Sequence, residues 1–218
     1  MNEIYFNYCE NQDWTFQIEK FDKQLLFSNC ESNGMMPIFT ALYNHAPLPF
    51  IRRLTKMYLV YVNKIDDIRY HDGTTLLHRA IFFRCRLEVI EYFMEIGCDT
   101  NNHDNIWKKS PMMFAFYYQN HLDNVLQLML QTNIDINHKD SQRQTLLGLA
   151  IQSKRKNVIH RLLYRGATCY IRTNELLSQS KIECTVILLI CKHASLYVLP
   201  TELKQMLIHM VFGTIRTL

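Results

Sequence analysis

A chain of 218 residues that is 48% hydrophobic and 20% charged is long and apolar enough to bury the core of one or two domains. Its formal net charge is only +4 and its basic and acidic residues are interspersed, which argues against a nucleic-acid-binding arm or a polybasic membrane patch. The N-terminus lacks a basic segment followed by an apolar run, and apolar runs such as 186–191 are far shorter than the roughly 20 residues that cross a bilayer.

The cysteines are odd in number and widely scattered, and no two of them form a C-x-x-C pair. This pattern predicts free, buried thiols in a reducing compartment, and neither a disulfide framework nor a zinc site. We therefore expect a cytoplasmic or nuclear protein with no metal and no cofactor. The seven cysteines are Cys9, Cys30, Cys85, Cys98, Cys169, Cys184 and Cys191.

Four short segments of the chain resemble one another. They are 36–41, 75–80, 110–115 and 145–150, and their final alanines are 39, 35 and 35 residues apart. The second segment, Thr-Leu-Leu-His-Arg-Ala, is the clearest copy. Each segment resembles the T-P-L-H-x-A signature of the ankyrin repeat, whose period is about 33 residues. The resemblance covers about residues 33 to 170.

The residues around each segment have a physical role in such a repeat. Asp72-Gly73 predicts a tight hairpin turn, and a threonine or serine then caps the first helix, followed in the third copy by Pro111. Gly97 and Gly166 follow two of the second helices, where a left-handed residue ends a helix, and Asn133 takes that place in the third copy. His78 lies in the signature itself, and the resemblance implies a structural imidazole.

The resemblance implies an all-α, ankyrin-repeat solenoid of about four stacked helix-turn-helix repeats with helical N- and C-terminal caps. We expect a divergent N-terminal helical cap at 1–32 and repeats at about 33–70, 71–103, 104–138 and 139–170. Capping helices are expected at 171–195, because the ends of a stack otherwise expose an apolar face. A further helix is expected at 196–218.

That last helix begins at a leucine-proline pair and carries an apolar stripe at helical spacing. It resembles the start of the F-box-like PRANC motif that ends poxvirus-type ankyrin proteins, and also part of a SOCS box. Either resemblance implies docking of a ubiquitin ligase; the alternative is a plain capping helix. The candidate ligase-docking residues are Leu199, Pro200, Leu203, Met206, Leu207 and Met210.

Aromatic residues recur just after the repeat alanines. Tyr43, Phe82 and Tyr117 each lie two positions beyond an alanine, so we expect them to stack in one column, and Phe83 and Tyr118 occupy the next position. If the rings face solvent they form a binding stripe, since aromatic residues are enriched at interaction hot spots. The alternative is that the rings pack between helices as core.

The hairpin tips of the repeats offer a second set of candidate partner-binding residues. An exposed Trp107 is the clearest candidate anchor, because a large apolar side chain in water is unfavourable. The tip residues proposed to contact a partner are Arg69, Tyr70, His103, Trp107, Lys108 and Lys139.

No catalytic motif is visible, because the six glycines are isolated and neither G-x-S-x-G nor H-E-x-x-H occurs. We expect a protein–protein interaction module and not an enzyme. The first hypothesis is an adaptor that recruits a substrate on the concave face of the repeats to a cullin-type ubiquitin ligase. The degenerate repeats would suit a viral or parasite origin and therefore a host–pathogen setting. The alternative is a stoichiometric inhibitor or scaffold, like the ankyrin inhibitors of Rel-type transcription factors.

Overall fold

The computed structural model describes residues 2–15, 18–29, 34–118, 122–153 and 155–167. In these residues the regular structure is helical, and the only bridge between extended segments is the isolated one from Arg69 to Thr75. The predicted all-α class is confirmed. The segments predicted as C-terminal capping helices and as a ligase-docking helix lie outside the described residues.

Ten short α-helices follow one another in the described part of the chain, with 3-10 turns at Ile18–Lys20 and Ile65–Asp67. None of these helices combines the length and apolar composition needed to cross a membrane. They are α1 (Asn2–Glu10), α2 (Lys23–Phe27), α3 (Pro37–Tyr43), α4 (Leu48–Leu59), α5 (Leu76–Phe82), α6 (Leu87–Glu95), α7 (Pro111–Tyr118), α8 (Leu122–Met129), α9 (Leu146–Gln152) and α10 (Lys156–Tyr164).

The chain forms two compact units, of which the first comprises 1–106 and 110–133. In the first unit three helix pairs, α3 with α4, α5 with α6 and α7 with α8, succeed one another, and α5 packs against both α3 and α7. The second helices also succeed one another, since α6 contacts both α4 and α8. Ala41, Ala80 and Ala115 are fully buried, as expected where small side chains let neighbouring helices approach.

The N-terminal helices α1 and α2 both lie against α3. The buried Tyr5 hydroxyl donates to the Pro37 carbonyl (2.9 Å), and the buried Tyr58 hydroxyl donates to the carbonyl of Leu26. The first hydrogen bond joins α1 to the start of α3, and the second joins α4 to α2. The boundaries of the N-terminal cap and of the individual repeats stay predictions.

The second unit, described at 107–109, 134–153 and 155–167, contains one helix pair in which α9 packs on α10. Its hairpin is joined to residues 107–109 by two hydrogen bonds. The Ser141 amide donates to the Trp107 carbonyl (2.8 Å), and His138 Nε2 donates to the Lys108 carbonyl (2.6 Å).

Two of the predicted helix caps are confirmed. The Ser110 hydroxyl accepts from the Met113 amide (3.4 Å), and the Thr145 hydroxyl accepts from the Gly148 amide (3.3 Å). In the second repeat, Nδ1 of the fully buried His78 lies 3.3 Å from the Thr75 amide nitrogen and 2.9 Å from its hydroxyl. His78 is therefore a structural residue that closes the first turn of α5, as predicted.

In each unit an asparagine side chain donates a hydrogen bond to the backbone of a later loop. Asn101 donates through its side chain to the Asn133 carbonyl (2.8 Å) in the first unit, and Asn137 donates to the Gly166 carbonyl (3.3 Å) in the second. Each asparagine is held by an aspartate two residues earlier, whose Oδ1 accepts from the asparagine amide. The loops are therefore kept in register by side-chain to backbone hydrogen bonds.

Two of the predicted helix ends are confirmed and one is wrong. Gly97 and Gly166 have positive φ angles of 93° and 79°. Asn133 is not among the described residues with positive φ. Instead, the Thr132 hydroxyl donates to the Met129 carbonyl (2.7 Å), so the end of α8 is satisfied without a left-handed residue.

The turns that connect paired helices carry backbone strain. His45 (φ 56°) and Arg84 (φ 58°) lie four residues beyond Ala41 and Ala80. In both turns the next amide donates back to that alanine's carbonyl over 2.9 Å, which fixes the left-handed residue between them. A non-glycine residue pays about 1–2 kcal/mol for this conformation.

Replacement of Arg84 or His45 with glycine is therefore expected to stabilise the chain. Glycine adopts the left-handed conformation freely but has more entropy to lose on folding, so the net gain should be about 0.5–1 kcal/mol for each variant. Urea denaturation of Arg84→Gly and His45→Gly measures this gain. Arg86→Gly is the matched control because Arg86 has a φ of −58°, and it should not be stabilised. Loss of stability in Arg84→Gly would contradict the strain argument.

Candidate protein-binding surface

Five aromatic rings of the first unit form a continuous series of contacts that crosses three helix pairs. The edge-to-face ring pairs are Tyr43–Phe83 (centroids 5.4 Å apart), Phe82–Phe83 (5.4 Å) and Phe82–Tyr118 (4.6 Å), and Tyr117 lies 6.1 Å from Tyr118. Edge-to-face pairs of this kind are favourable because the positive ring edge meets the negative face. We call these five residues the aromatic surface.

The expected single column of rings is corrected by these contacts. Tyr43 contacts Phe83, and Phe82 contacts Tyr118. In both contacts the ring from the earlier segment lies two positions after its alanine, and the ring from the later segment lies three positions after its alanine. Successive residues in a helix point about 100° apart, so the third-position ring is the one turned toward the preceding repeat. The series of contacts is diagonal.

The two interpretations of these aromatics apply to different rings. Tyr43 and Tyr117 are exposed, with 53% and 45% of their surface accessible, whereas Phe82, Phe83 and Tyr118 are half-buried. The inner three rings hold the helices together, and the two outer tyrosines present aromatic surface to solvent. Exposed rings supported by packed ones are typical of an interaction site.

Arg79 lies under the aromatic surface. Its guanidinium is 3.9 Å from the centroid of the Tyr70 ring, 5.3 Å from that of Phe82 and 5.8 Å from that of Phe83. Its Nη2 is 2.5 Å from Asp72 Oδ2, and its Nε donates to the Thr74 hydroxyl (2.8 Å). The guanidinium therefore joins the hairpin to the face of α5 that carries the rings.

The Asp72–Arg79 pair is partly removed from solvent, and both pKa values report this. Burial opposes the charged form of Asp72, but hydrogen bonds from Thr74 and the charge of Arg79 outweigh it and hold the pKa of Asp72 below its ordinary value. Burial lowers the pKa of Arg79, and the carboxylate of Asp72 counteracts this. Arginine remains charged, so the pair persists at neutral pH.

Two of the predicted hairpin-tip residues are engaged by the fold. Tyr70 is half-buried between Arg79 and Phe39, whose ring centroid is 5.2 Å away. Arg69 donates to the Gly73 carbonyl and to Asn102 Oδ1, each over 2.9 Å. Both residues support the hairpin, and a contact between either of them and a partner stays a prediction.

The remaining hairpin-tip candidates are exposed. His103 is exposed in the first unit. In the second unit Trp107 is 49% exposed, with the Lys109 ammonium 5.8 Å from its ring centroid, and Lys108 and Lys139 are exposed as well. A contact between any of these residues and a partner stays a prediction.

Sequence reasoning missed Arg79, His45 and Arg84 as candidate site residues. A signal for Arg79 was present, because Arg79, Phe82 and Phe83 are spaced i, i+3 and i+4 on one helix and therefore share a face. No glycine marks the left-handed turns at His45 and Arg84, so nothing in the sequence indicated their conformation.

The remaining predictions concern the cysteines, metal sites and the ligase-docking segment. Cys9, Cys85 and Cys98 are free and buried, as predicted, and burial raises the pKa of the Cys85 thiol to about 12. Across the described residues no group of three or more His, Cys, Asp or Glu side chains is positioned to hold a metal ion. The candidate ligase-docking residues from Leu199 to Met210 lie outside this part of the chain.

Comparison with known families identifies the repeats. Residues 77–173 match the family model for ankyrin repeats, in three copies. The matched range runs from within α5 through α10 and beyond, so this part of the chain contains ankyrin repeats, and the all-α fold of the described residues is that of an ankyrin-repeat arrangement. No curated protein matches the chain.

Removal of the Asp72 charge should destabilise the protein in a pH-dependent way. Asp72→Asn leaves a mostly buried guanidinium without its counter-ion, at a cost of about 1–3 kcal/mol at pH 7. Because the folded pKa of Asp72 lies below its unfolded value, the stabilisation is complete above the unfolded pKa and is lost as pH falls through the folded one. The difference between wild type and variant should therefore shrink below about pH 4.

Urea denaturation from pH 7 to pH 3 measures this difference. Glu88→Gln is the control, because it removes an exposed ion pair with Arg86 in which the charged atoms are 3.8 Å apart, and it should cost less than about 0.5 kcal/mol. An Asp72→Asn deficit that is the same at pH 3 as at pH 7 would show that the ion pair does not stabilise the fold.

The inner and outer rings should differ in their contribution to stability. Phe82→Ala removes two ring contacts and a cation–π contact and should cost about 2–3 kcal/mol. Tyr43→Ala removes an exposed ring with one recorded ring contact and should cost no more than about 1 kcal/mol. Thermal unfolding of the two variants tests the distinction, and equal losses would place Tyr43 in the core.

Proposed function

We propose that the aromatic surface binds a partner protein, with Tyr43 and Tyr117 as its exposed anchors. Ankyrin repeats are protein–protein interaction modules, and three copies are matched here. The observation that carries the proposal is the unbroken series of ring contacts across three helix pairs with exposed tyrosines at its two ends.

The physical basis is preorganisation. A tyrosine has few rotatable bonds and a large amphipathic ring, so it contributes contact area at a low entropic cost. The ring of Tyr43 is held against Phe83 and that of Tyr117 lies beside Tyr118, so less side-chain freedom is lost when a partner binds. Arg79 and Asp72 fix the helix face beneath them.

The finer proposal is that the chain is a substrate-recruiting adaptor for a cullin-type ubiquitin ligase in the cytoplasm or nucleus. Two sequence features support it: the Leu199-Pro200 pair and the apolar stripe of Leu203, Met206, Leu207 and Met210 that follows. In this hypothesis the repeats hold the target and the C-terminal segment docks a ligase subunit. The alternative, a stoichiometric inhibitor or scaffold, needs the repeats alone.

Affinity purification with quantitative mass spectrometry separates these functions. We would compare the full chain with a Tyr43→Ser, Tyr117→Ser variant and with a Leu203→Glu, Leu207→Glu variant, using Lys56→Gln, an exposed change on α4, as the control. The expected result is that the tyrosine variant recovers at least about tenfold less of a target protein, as expected for the loss of a hot-spot residue, and recovers ligase subunits as wild type does. The leucine variant should recover the target and lose the ligase subunits.

Different results would contradict the two parts of the proposal, the aromatic binding surface and the adaptor role. A target that stays bound to the tyrosine variant would show that binding does not use the aromatic surface. A wild-type chain that retains its target and brings down no cullin-ligase subunit would exclude the adaptor and leave the inhibitor or scaffold. Reconstitution with purified F-box-binding and elongin-type ligase subunits distinguishes direct docking from indirect recovery.

A further inference from the structure

We infer that the aromatic surface takes an acidic segment of its partner protein, with carboxylates placed against His45 and Arg84 and apolar side chains placed against Tyr43 and Tyr117. This inference rests on the proposed function and adds the chemistry of the partner. Three observations support it: the local charge, the unpaired state of two basic side chains, and the backbone strain at both of them.

Most of the formal net positive charge of the chain comes from the segments around the aromatic surface. The segments that build the first two helices of the aromatic surface and their turns, 34–48 and 69–86, contain four arginines and one aspartate, a net formal charge of +3. The charge of the whole chain is +4. A basic surface attracts an acidic partner and raises its rate of association.

Not all of these charges are available to a partner. Arg79 is paired with Asp72, Arg69 donates to Gly73 and Asn102, and Arg86 lies 3.8 Å from Glu88. His45 and Arg84 are exposed, and in the described ranges neither side chain forms a hydrogen bond or ion pair. They lie in the turns directly after Tyr43 and Phe83, so both flank the aromatic surface.

His45 and Arg84 occupy equivalent positions at which a glycine would adopt the left-handed backbone conformation without strain. Both have left-handed backbone conformations, with φ angles of 56° and 58°. The position four residues beyond the repeat alanine is also basic in the fourth copy, where the sequence has Lys154, and is Gln119 in the third. Strained residues often lie at functional sites, and in this inference the two side chains are the reason the strain is retained. Gln12, Lys108 and Arg143 have similar φ angles elsewhere in the chain, so the strain supports the inference only together with the charge and exposure of His45 and Arg84.

The chemistry of the site selects a protein segment and not a nucleic acid. An arginine binds carboxylates through two parallel hydrogen bonds, and exposed tyrosines pack on leucine or aromatic side chains. Single-stranded nucleic acid instead needs a row of free ring faces for successive bases. Here Phe82 is packed edge to face on both Phe83 and Tyr118, so these rings do not offer a row of free faces.

Selection from a displayed library of random 15-residue peptides on the immobilised full chain tests the inference. Enriched peptides are synthesised, and their dissociation constants are measured by fluorescence anisotropy at low and high salt. The variants are the double mutant His45→Gly, Arg84→Gly, the tyrosine variant Tyr43→Ser, Tyr117→Ser, and Lys56→Gln as the control for loss of a charge elsewhere. A 15-residue oligothymidine is the competing polyanion.

We expect the enriched peptides to be net negative and to contain leucine or aromatic residues. The glycine double mutant should bind them about five- to tenfold more weakly, because it loses an exposed charge pair at Arg84 and a hydrogen bond at His45. Lys56→Gln should bind as wild type does, and affinity should be lower at high salt. This weakening would occur in a variant that is expected to be more stable than wild type. Loss of binding therefore could not be ascribed to loss of folding.

The inference is overturned if the enriched peptides have no negative charge excess, if no peptide is enriched, if the glycine double mutant binds them as wild type does, or if oligothymidine binds more tightly. Its failure is distinguishable from failure of the proposed function. Neutral peptides that depend on Tyr43 and Tyr117 would end the inference and leave the aromatic surface as the binding site. Acidic peptides that bind the tyrosine variant as tightly as wild type would show that the aromatic surface is not the binding site, which would contradict the proposed function.

Discussion

The close approach of the first helices at Ala41, Ala80 and Ala115 is the constraint on which the first unit depends. A larger side chain at these fully buried positions would separate α5 from α3 and α7. The ring contacts of the aromatic surface begin only two or three residues further along each helix, so they form because the helices are already close. The same approach brings successive loops near enough for Asn101 to reach the Asn133 carbonyl.

Arg79 shows how a charge can be accommodated in this packed region. Removing a guanidinium from water is unfavourable, and the loss is offset only when its hydrogen bonds are supplied and a counter-charge is close. Thr74 and Asp72 supply both on one side, and the Tyr70 ring covers the other. The pair contributes less to net stability than to the placement of the hairpin on α5, which is why the rings above it have a fixed position.

Much of the fold was predictable because it depends on local chemistry. Caps at Ser110 and Thr145, the helix ends at Gly97 and Gly166 and the structural role of His78 all follow from neighbouring residues. Asn133 was misread because the Thr132 hydroxyl satisfies the end of α8 by another route. The diagonal order of the rings could not be predicted, since it depends on how neighbouring helices face each other and not on the spacing within either one.

The turns at His45 and Arg84 show where local preference and surface chemistry conflict. At Gly73, by contrast, the two agree: its φ is 82°, and a Cβ there would lie 2.2 Å from the Asn105 side chain, so any other residue would be strained and would have to displace that side chain. A turn with the same handedness after α3 and α5 has a basic, solvent-exposed residue instead. Natural proteins depart from local structural preference mainly where another property is needed. Because both departures add an unpaired basic side chain beside the aromatic surface, the property that fits them is recognition of an anionic group.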